Sequence, residues 1–99
     1  MEDTLRSGLL SVVLPSYNEE ASIPRAADTI TAIRIDADIP HELVFVDDGS
    51  RDRTWTVIQE QAGRHPQVRG VRFSRNFGKE AAIFAGLAQA RGDCTLVMD

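Results

Sequence analysis

Val44-Phe-Val-Asp-Asp-Gly-Ser-Arg-Asp52 carries an apolar run straight into two adjacent carboxylates and a glycine. It reads as the end of a buried strand, Glu42 to Val46, followed by an acidic turn. In open α/β sheets, ligands are held where strands give way to helices at the carboxyl edge of the sheet. Asp47 and Asp48 therefore mark a candidate binding edge. An Asx turn with a capped helix start is the plainer reading, but a turn needs one acid and adjacent carboxylates repel each other. The second acid is then available to accept hydrogen bonds from a nucleobase ring nitrogen or from ribose hydroxyls.

Working outward, Leu9 to Leu14 is a first buried strand stopped by Pro15, and Ser16 to Glu20 is a polar turn in which Ser16 or Asn18 can cap a helix. Ile23, Ala26, Ala27, Ile30 and Ile33 repeat every three or four positions, an amphipathic stripe that closes before Pro40. Trp55, Ile58 and Ala62 mark a second helical face, with Gly63 and Pro66 as stop signals. Val68 to Phe73 is a short third strand. Asn76-Phe-Gly-Lys79 opens a third helix whose inner face carries Ala82, Ile83, Gly86, Leu87 and Ala90, ending at Gly92. Cys94 to Met98 is a fourth strand. The alternation βαβαβαβ with short connections predicts a Rossmann-like three-layer αβα fold around a mainly parallel four-stranded sheet, with residues 1–99 forming a single domain.

Composition narrows the function. The 99 residues carry a net charge of −4, so no general basic footprint exists for nucleic acid. Arg64, Arg69, Arg72, Arg75 and Lys79 nevertheless fall in an acid-free stretch that suits a small anion. The lone Cys94 has no internal disulfide partner and is expected as a small buried hydrophobe in a reducing compartment. The N-terminus Met-Glu-Asp-Thr-Leu-Arg has acids where a secretory signal needs bases, and no apolar run is long enough to span a bilayer. A cytoplasmic location is expected.

Three strand ends hold the residues able to do chemistry. In Pro15-Ser-Tyr-Asn-Glu-Glu20, the acids complement a helix dipole, while Tyr17 and Glu19 suit a pocket for a flat, hydrogen-bonding ring. The Asp47-Asp48-Gly49 turn is the second. In Ser74-Arg-Asn-Phe-Gly-Lys-Glu80, Gly78 frees the backbone at a helix start whose amides favour anions, and Arg75 and Lys79 add charge, so a diphosphate is the natural guest. Other nucleotide motifs fail on spacing. No Gly-x-Gly-x-x-Gly follows a strand, and a Walker-A loop is broken by Phe73 and Glu80. Receiver domains place paired acids after their first strand, whereas these close the second.

Four segments, Val12 to Glu20, Val46 to Thr54, Ser74 to Lys79 with the alanine-rich helix behind it, and Gly92 to Asp99, together resemble the N-terminal half of a family 2 glycosyltransferase of the glycosyltransferase-A fold. The resemblance is to the polyprenyl-phosphate type, the dolichyl-phosphate mannose synthases and bactoprenol glucosyltransferases. It implies a hexose transfer, with inversion, from a nucleotide-diphosphate sugar to a polyprenyl phosphate. Pro15, Tyr17 and Glu19 would border the nucleoside, Asp47 and Asp48 would bind base or ribose, and the turn of Asn76, Gly78 and Lys79 would lie near the diphosphate. Asp99 matches the first carboxylate of the family's Asp-x-Asp motif, which holds Mg2+ or Mn2+ on the diphosphate. The resemblance further implies that the chain is a fragment with no catalytic residue of its own and is inactive alone. Acceptor and membrane contacts, at the cytoplasmic face, would come from the missing part. The fourth strand is expected to leave an open edge that favours self-association. A soluble family 2 transferase with another acceptor and a noncatalytic nucleotide-binding module are the alternatives.

Overall fold

The computed structural model describes residues 8–36 and 38–98, without the side chains of residues 33–36. The Ile33 side chain, Asp99 and the N-terminal residues on which the leader reading rests lie outside the described set. Seven elements alternate: β1 (Leu10–Ser16), α1 (Ile23–Asp36), β2 (His41–Asp47), α2 (Thr54–Arg64), β3 (Val68–Arg72), α3 (Lys79–Gln89) and β4 (Cys94–Val97). The four strands form one parallel sheet in the order β3-β2-β1-β4. The chain steps outward from β1 to β3, then crosses back to β4, so the order reverses at β1.

The strand pleat sorts the core into two layers. Val12, Leu14, Leu43 and Phe45 pack with Ile23, Ala27 and Ile30 of α1 and Ile58 of α2. Val13, Val44 and Val46 pack on the opposite face with Ala82 and Ala85 of α3. This is the expected αβα sandwich. Gly86 lets α3 descend onto β1, because a Cβ there would overlap Val13 Cγ1, and Val13 is fully buried.

Three expectations change. Pro15 does not stop β1, which continues to Ser16 paired with Asp47. Even-numbered residues of β1 bond to β2 (Leu10 N to Pro40 O, Asp48 N to Ser16 O), and odd-numbered ones face β4 (Asp93 N to Leu9 O, Met98 N to Val13 O). The amide hydrogen that proline lacks would point past the end of β4, so no ladder bond is lost. Cys94 is exposed rather than buried, because β4 is an edge strand whose four side chains all face solvent. Leu87 is also 41% exposed, on a helix that turns Ala82 and Gly86 inward.

At the amino edge of the sheet, Glu42 is 4% exposed and gathers donors from three segments. Ser11 Oγ donates to it at 2.6 Å, Arg91 N at 2.6 Å and Arg69 Nε at 3.1 Å, while Ser11 Oγ accepts from Gly92 N at 2.8 Å. Burial pushes the Glu42 carboxyl up, but the bonds from Arg91 N, Ser11 and Arg69 outweigh it and hold the group below the ordinary value of 4.5. A depressed folded-state value means the unfolded chain binds the extra proton first, so the stabilisation is present above about pH 4.5 and is lost as pH falls below it. Glu42→Gln is expected to cost roughly 2–3 kcal/mol at neutral pH. Urea unfolding of both proteins across an acid titration should show the gap closing below that pH.

Candidate functional site

The parallel sheet brings the ends of β1, β2 and β3 to one edge, and the turns that follow them are stitched together there. Asn18 N donates to Ser50 Oγ at 2.9 Å, and Arg51 N donates to Asn18 Oδ1 at 2.9 Å. Glu19 N donates to Thr54 Oγ1 at 2.8 Å, and Thr54 Oγ1 donates in turn to Asp52 Oδ1. Burial would raise the Asp52 carboxyl, but the Thr54 hydroxyl and amide and the Glu20 amide hold it below its usual range. Asn18 and Ser16 do not cap α1. The Asn18 side chain braces the second turn, and Ser16 Oγ donates to Leu14 O. Ser22 precedes the helix instead, its carbonyl accepting from Ala26 N.

The paired acids divide their work. They follow each other on an extended strand end, so their side chains leave on opposite faces of the sheet. Asp47 Oδ1 accepts from Ser50 N, three residues on, at 2.9 Å, while its Oδ2 is buried without a hydrogen-bond partner among the described residues. Asp48 Oδ1 accepts from Phe77 N at 2.8 Å, and both its oxygens lie 3.2 Å from Gly78 N. Asn76 Nδ2 donates to Asp48 Oδ2 and to Asp48 O, each at 3.1 Å. The second acid is thus committed to the third turn, an interaction that the repulsion argument did not anticipate.

Pro15, Ser16, Tyr17, Glu19, Asp48 and Lys79 line a cleft of about 110 Å³ where the three turns meet. Whole small-molecule pockets run to roughly 300–1,000 Å³, so this cleft takes one part of a ligand. Tyr17 is 42% exposed on its rim, and Glu19 Oε2 accepts from Ser22 Oγ at 3.1 Å. Five of the eight predicted nucleotide-site residues converge here, and Asp47, Asn76 and Gly78 stand behind the lining. The basic cluster does not converge. Arg69 pairs with Glu42, Arg72 lies over Trp55 and Arg75 over Phe77, leaving Lys79 as the cluster's contribution to the cleft. Asp52 and Thr54, which brace the rim, had no individual role in the sequence reading. Their signal was an Asp two residues before a Thr at a helix start. Among the described residues no group of three or more His, Cys, Asp or Glu is placed to hold a metal ion.

The model of the family described as Glycosyl transferase family 2 matches residues 11–99. The chain belongs to this family. It is 45% identical over 92 residues to an undecaprenyl-phosphate 4-deoxy-4-formamido-L-arabinose transferase of Pseudomonas aeruginosa, covering 92% of this chain and 27% of that protein. It is 41% identical to a bactoprenol glucosyl transferase of Shigella phage SfV, covering 91% and 29%. Among solved structures, a mannosyltransferase from Pyrobaculum calidifontis in complex with GDP-Man and Mn2+ superposes with a TM-score of 0.74 at 30% identity, covering 87% of this chain and 25% of that one. A glucosyl-3-phosphoglycerate synthase from Mycobacterium tuberculosis in complex with UDP superposes at 0.69 and 29% identity, covering 89% and 32%. The chain therefore spans under a third of the length of these relatives, and its α/β fold is that of glycosyltransferase-A enzymes.

Gly49 fixes how closely the family 2 turns approach. It has φ +72°, and a Cβ there would overlap the Arg75–Asn76 peptide, which is backbone and cannot swing aside. Gly49→Ala is expected to lose roughly 1–2 kcal/mol from the left-handed backbone and about 1–3 kcal/mol from the overlap. A drop of that size in the urea midpoint, at unchanged slope, is the check.

Proposed function

We propose that the chain is the nucleotide half-site of an enzyme moving a hexose from a nucleotide-diphosphate sugar to a polyprenyl phosphate, with inversion. The observation that carries the reading is the convergence of three strand-end turns on one cleft at the point where the sheet order reverses. That crevice is where open α/β sheets hold ligands. Pro15 and Tyr17 offer an apolar wall and a ring for a base, and Glu19 offers an acceptor for base or ribose hydrogens. Asp47 and Asp48 supply the negative end of the nucleoside pocket, and Lys79 meets the first negative charge of the diphosphate. The names of the relatives at 41–45% identity favour a polyprenyl-phosphate acceptor. The glucosyl-3-phosphoglycerate synthase at 29% identity supports the second reading, a transferase with another acceptor.

A divalent ion, Mg2+ or Mn2+, is proposed on the same grounds, a solved relative having been seen with Mn2+ and GDP-Man. When bound, such an ion neutralises charge on a departing nucleoside diphosphate. Asp99 is the proposed carboxylate ligand. The described residues alone do not make a metal site, and their own work is to bind and orient the nucleoside. No helix among them is long and apolar enough to cross a membrane. The membrane face proposed for the parent enzyme follows from the acceptor.

Titration calorimetry of the chain with UDP and with GDP, each with and without Mn2+, tests the assignment. Saturable binding of one of them is expected, strengthened by the metal. Tyr17→Ala should weaken it by the value of one base stack, about 1–3 kcal/mol, or roughly 5- to 150-fold in Kd. Absence of heat with both nucleotides at millimolar concentration, or an unchanged Kd in Tyr17→Ala, would remove the cleft from the proposal.

A further inference from the structure

We propose that β4 is a self-association edge: two copies of this chain pair their fourth strands antiparallel about a two-fold axis at Leu96, joining the two sheets into one. Nucleotide plays no part in the pairing.

The two edges of the described sheet, β3 and β4, differ in how they are guarded. On β3, Arg69 and Arg72 punctuate the strand, and Trp55 packs over Gly70, whose Cβ would stand 3.0 Å from the ring. Charged side chains of this kind keep an edge from pairing. β4 has no such guard. From Cys94 to Met98 it carries no charge, and every residue of the strand is exposed. Its backbone is also half unused. Val97 is in register with Val13, and Met98 N donates to Val13 O. In a parallel pair the bonds to Val13 come from the residues on either side of its partner. Val97, and Thr95 two residues before it, therefore turn their N–H and C=O groups away from β1.

A second copy fits these groups because the strand is self-complementary, as a two-fold interface requires. With Leu96 on the axis, Thr95 and Val97 of one copy face Val97 and Thr95 of the other, and each pair exchanges both its N–H···O bonds. The side chains then match face by face. Leu96 lies beside Val12 and Val97 beside Val13, so alternate residues belong to the α1 and α3 sides of the sheet. On the α1 side Leu96 meets its own copy, and Met98 meets the partner's Cys94. On the α3 side Val97 meets the partner's Thr95. Leu96, Met98 and Val97 are 48%, 41% and 38% exposed in the single chain, and the pairing draws them out of water. An uncharged run of this composition belongs inside a sheet rather than at its margin.

Sedimentation velocity and light scattering over a dilution series test the proposal. A pairing this small is transient, so dimer is expected between about 10 μM and 1 mM, dissociating on dilution. Val97→Pro removes an amide hydrogen that no bond within the described sheet uses, and Leu96→Lys sets two like charges on the axis. Both variants are expected to fold with the wild-type unfolding midpoint of the dilute protein and to lose the dimer. Register is read by cross-linking in a Cys94→Ser background under a mild disulfide oxidant. In Leu96→Cys the opposed thiols sit on a non-hydrogen-bonded pair with Cα atoms about 4.5 Å apart, within disulfide reach, whereas in Thr95→Cys they lie on a diagonal of about 7–8 Å. Cross-linked dimer is expected in the first and its loss in the second. A wild type that stays monomeric across the series gives the edge to a strand from elsewhere in a longer protein and overturns the proposal. A ladder of larger species means open pairing of β4 with β3 and also overturns it. So does a dimer that persists in both Val97→Pro and Leu96→Lys, or cross-linking as fast in Thr95→Cys as in Leu96→Cys. Should either disrupting variant fail to fold, the other and the cross-linking pair decide.

Discussion

Two carboxylates at opposite ends of β2 hold the two ends of α3, and the geometry of the rest follows from that clamp. Glu42, at the start of the strand, accepts from the Arg91 amide just beyond the helix. Asp48, one residue past the strand's end, accepts from the Phe77 and Gly78 amides just before it. The helix runs back across β2 and β1 between these two points, and Gly86 lets it sink until it touches Val13. A strand of seven residues and a helix of eleven would otherwise slide past each other on an aliphatic interface, because contacts among Val13, Val44, Val46 and Ala82 are non-directional. Buried acids bonded to backbone amides give that interface a register.

The clamp connects packing to the proposed site. β1 and β2 pair without interruption from Leu10 with His41 to Ser16 with Asp47, so the turns after them start side by side. The first turn is then tied to the second by Asn18, Ser50, Asp52 and Thr54, and the second to the third by Asp48. These bonds reach from one turn to the next, while Asp47 with Ser50 and Asp52 with Thr54 close the second turn upon itself. The rim of the cleft is accordingly a continuous hydrogen-bonded belt, and a ligand meeting Tyr17, Glu19 and Lys79 meets groups carried by a shared scaffold.

Much of the layout was readable from residue pattern. Apolar runs into Pro15 and Asp47 are what strands buried on both faces look like, whereas Val68 to Arg72 mixes apolar and basic residues, and the stripes at Ile23 to Ile30 and Trp55 to Ala62 have helical spacing. The strand-end rule then placed Tyr17, Glu19, Asp48 and Lys79 on one edge, where they stand. What pattern could not supply is long-range partnership. Whether proline breaks a strand depends on which neighbour its missing amide would face, and β4, which decides this for Pro15, lies some eighty residues downstream. Cys94 reads as buried because it opens an apolar strand, yet at the edge of the described sheet it is exposed. The basic run from Arg64 to Lys79 reads as one patch along the chain. In space its arginines are drawn apart to Glu42, Trp55 and Phe77.

For the adjacent acids, local electrostatics points to the carboxyl edge of the sheet but leaves out the partners they find there. Two neighbouring carboxylates repel and a turn alone needs only one of them, which points to a ligand for the other. On an extended backbone the two side chains diverge to opposite faces, and each meets amide donors at hydrogen-bond distance, Ser50 N for Asp47 and the Phe77–Gly78 pair for Asp48. A hydrogen bond to a charged group contributes about 1.5–3 kcal/mol, and the divergence of the two side chains weakens their mutual repulsion. The backbone therefore satisfies much of what the pair demands without any ligand. What it leaves unsatisfied is specific. Among the described residues Asp47 Oδ2 is buried and unpartnered, and an acceptor in that condition costs about 1–3 kcal/mol. The pull toward a donor at this edge of the sheet thus sits on the first acid, while the second is the one that faces the cleft with its oxygens already engaged.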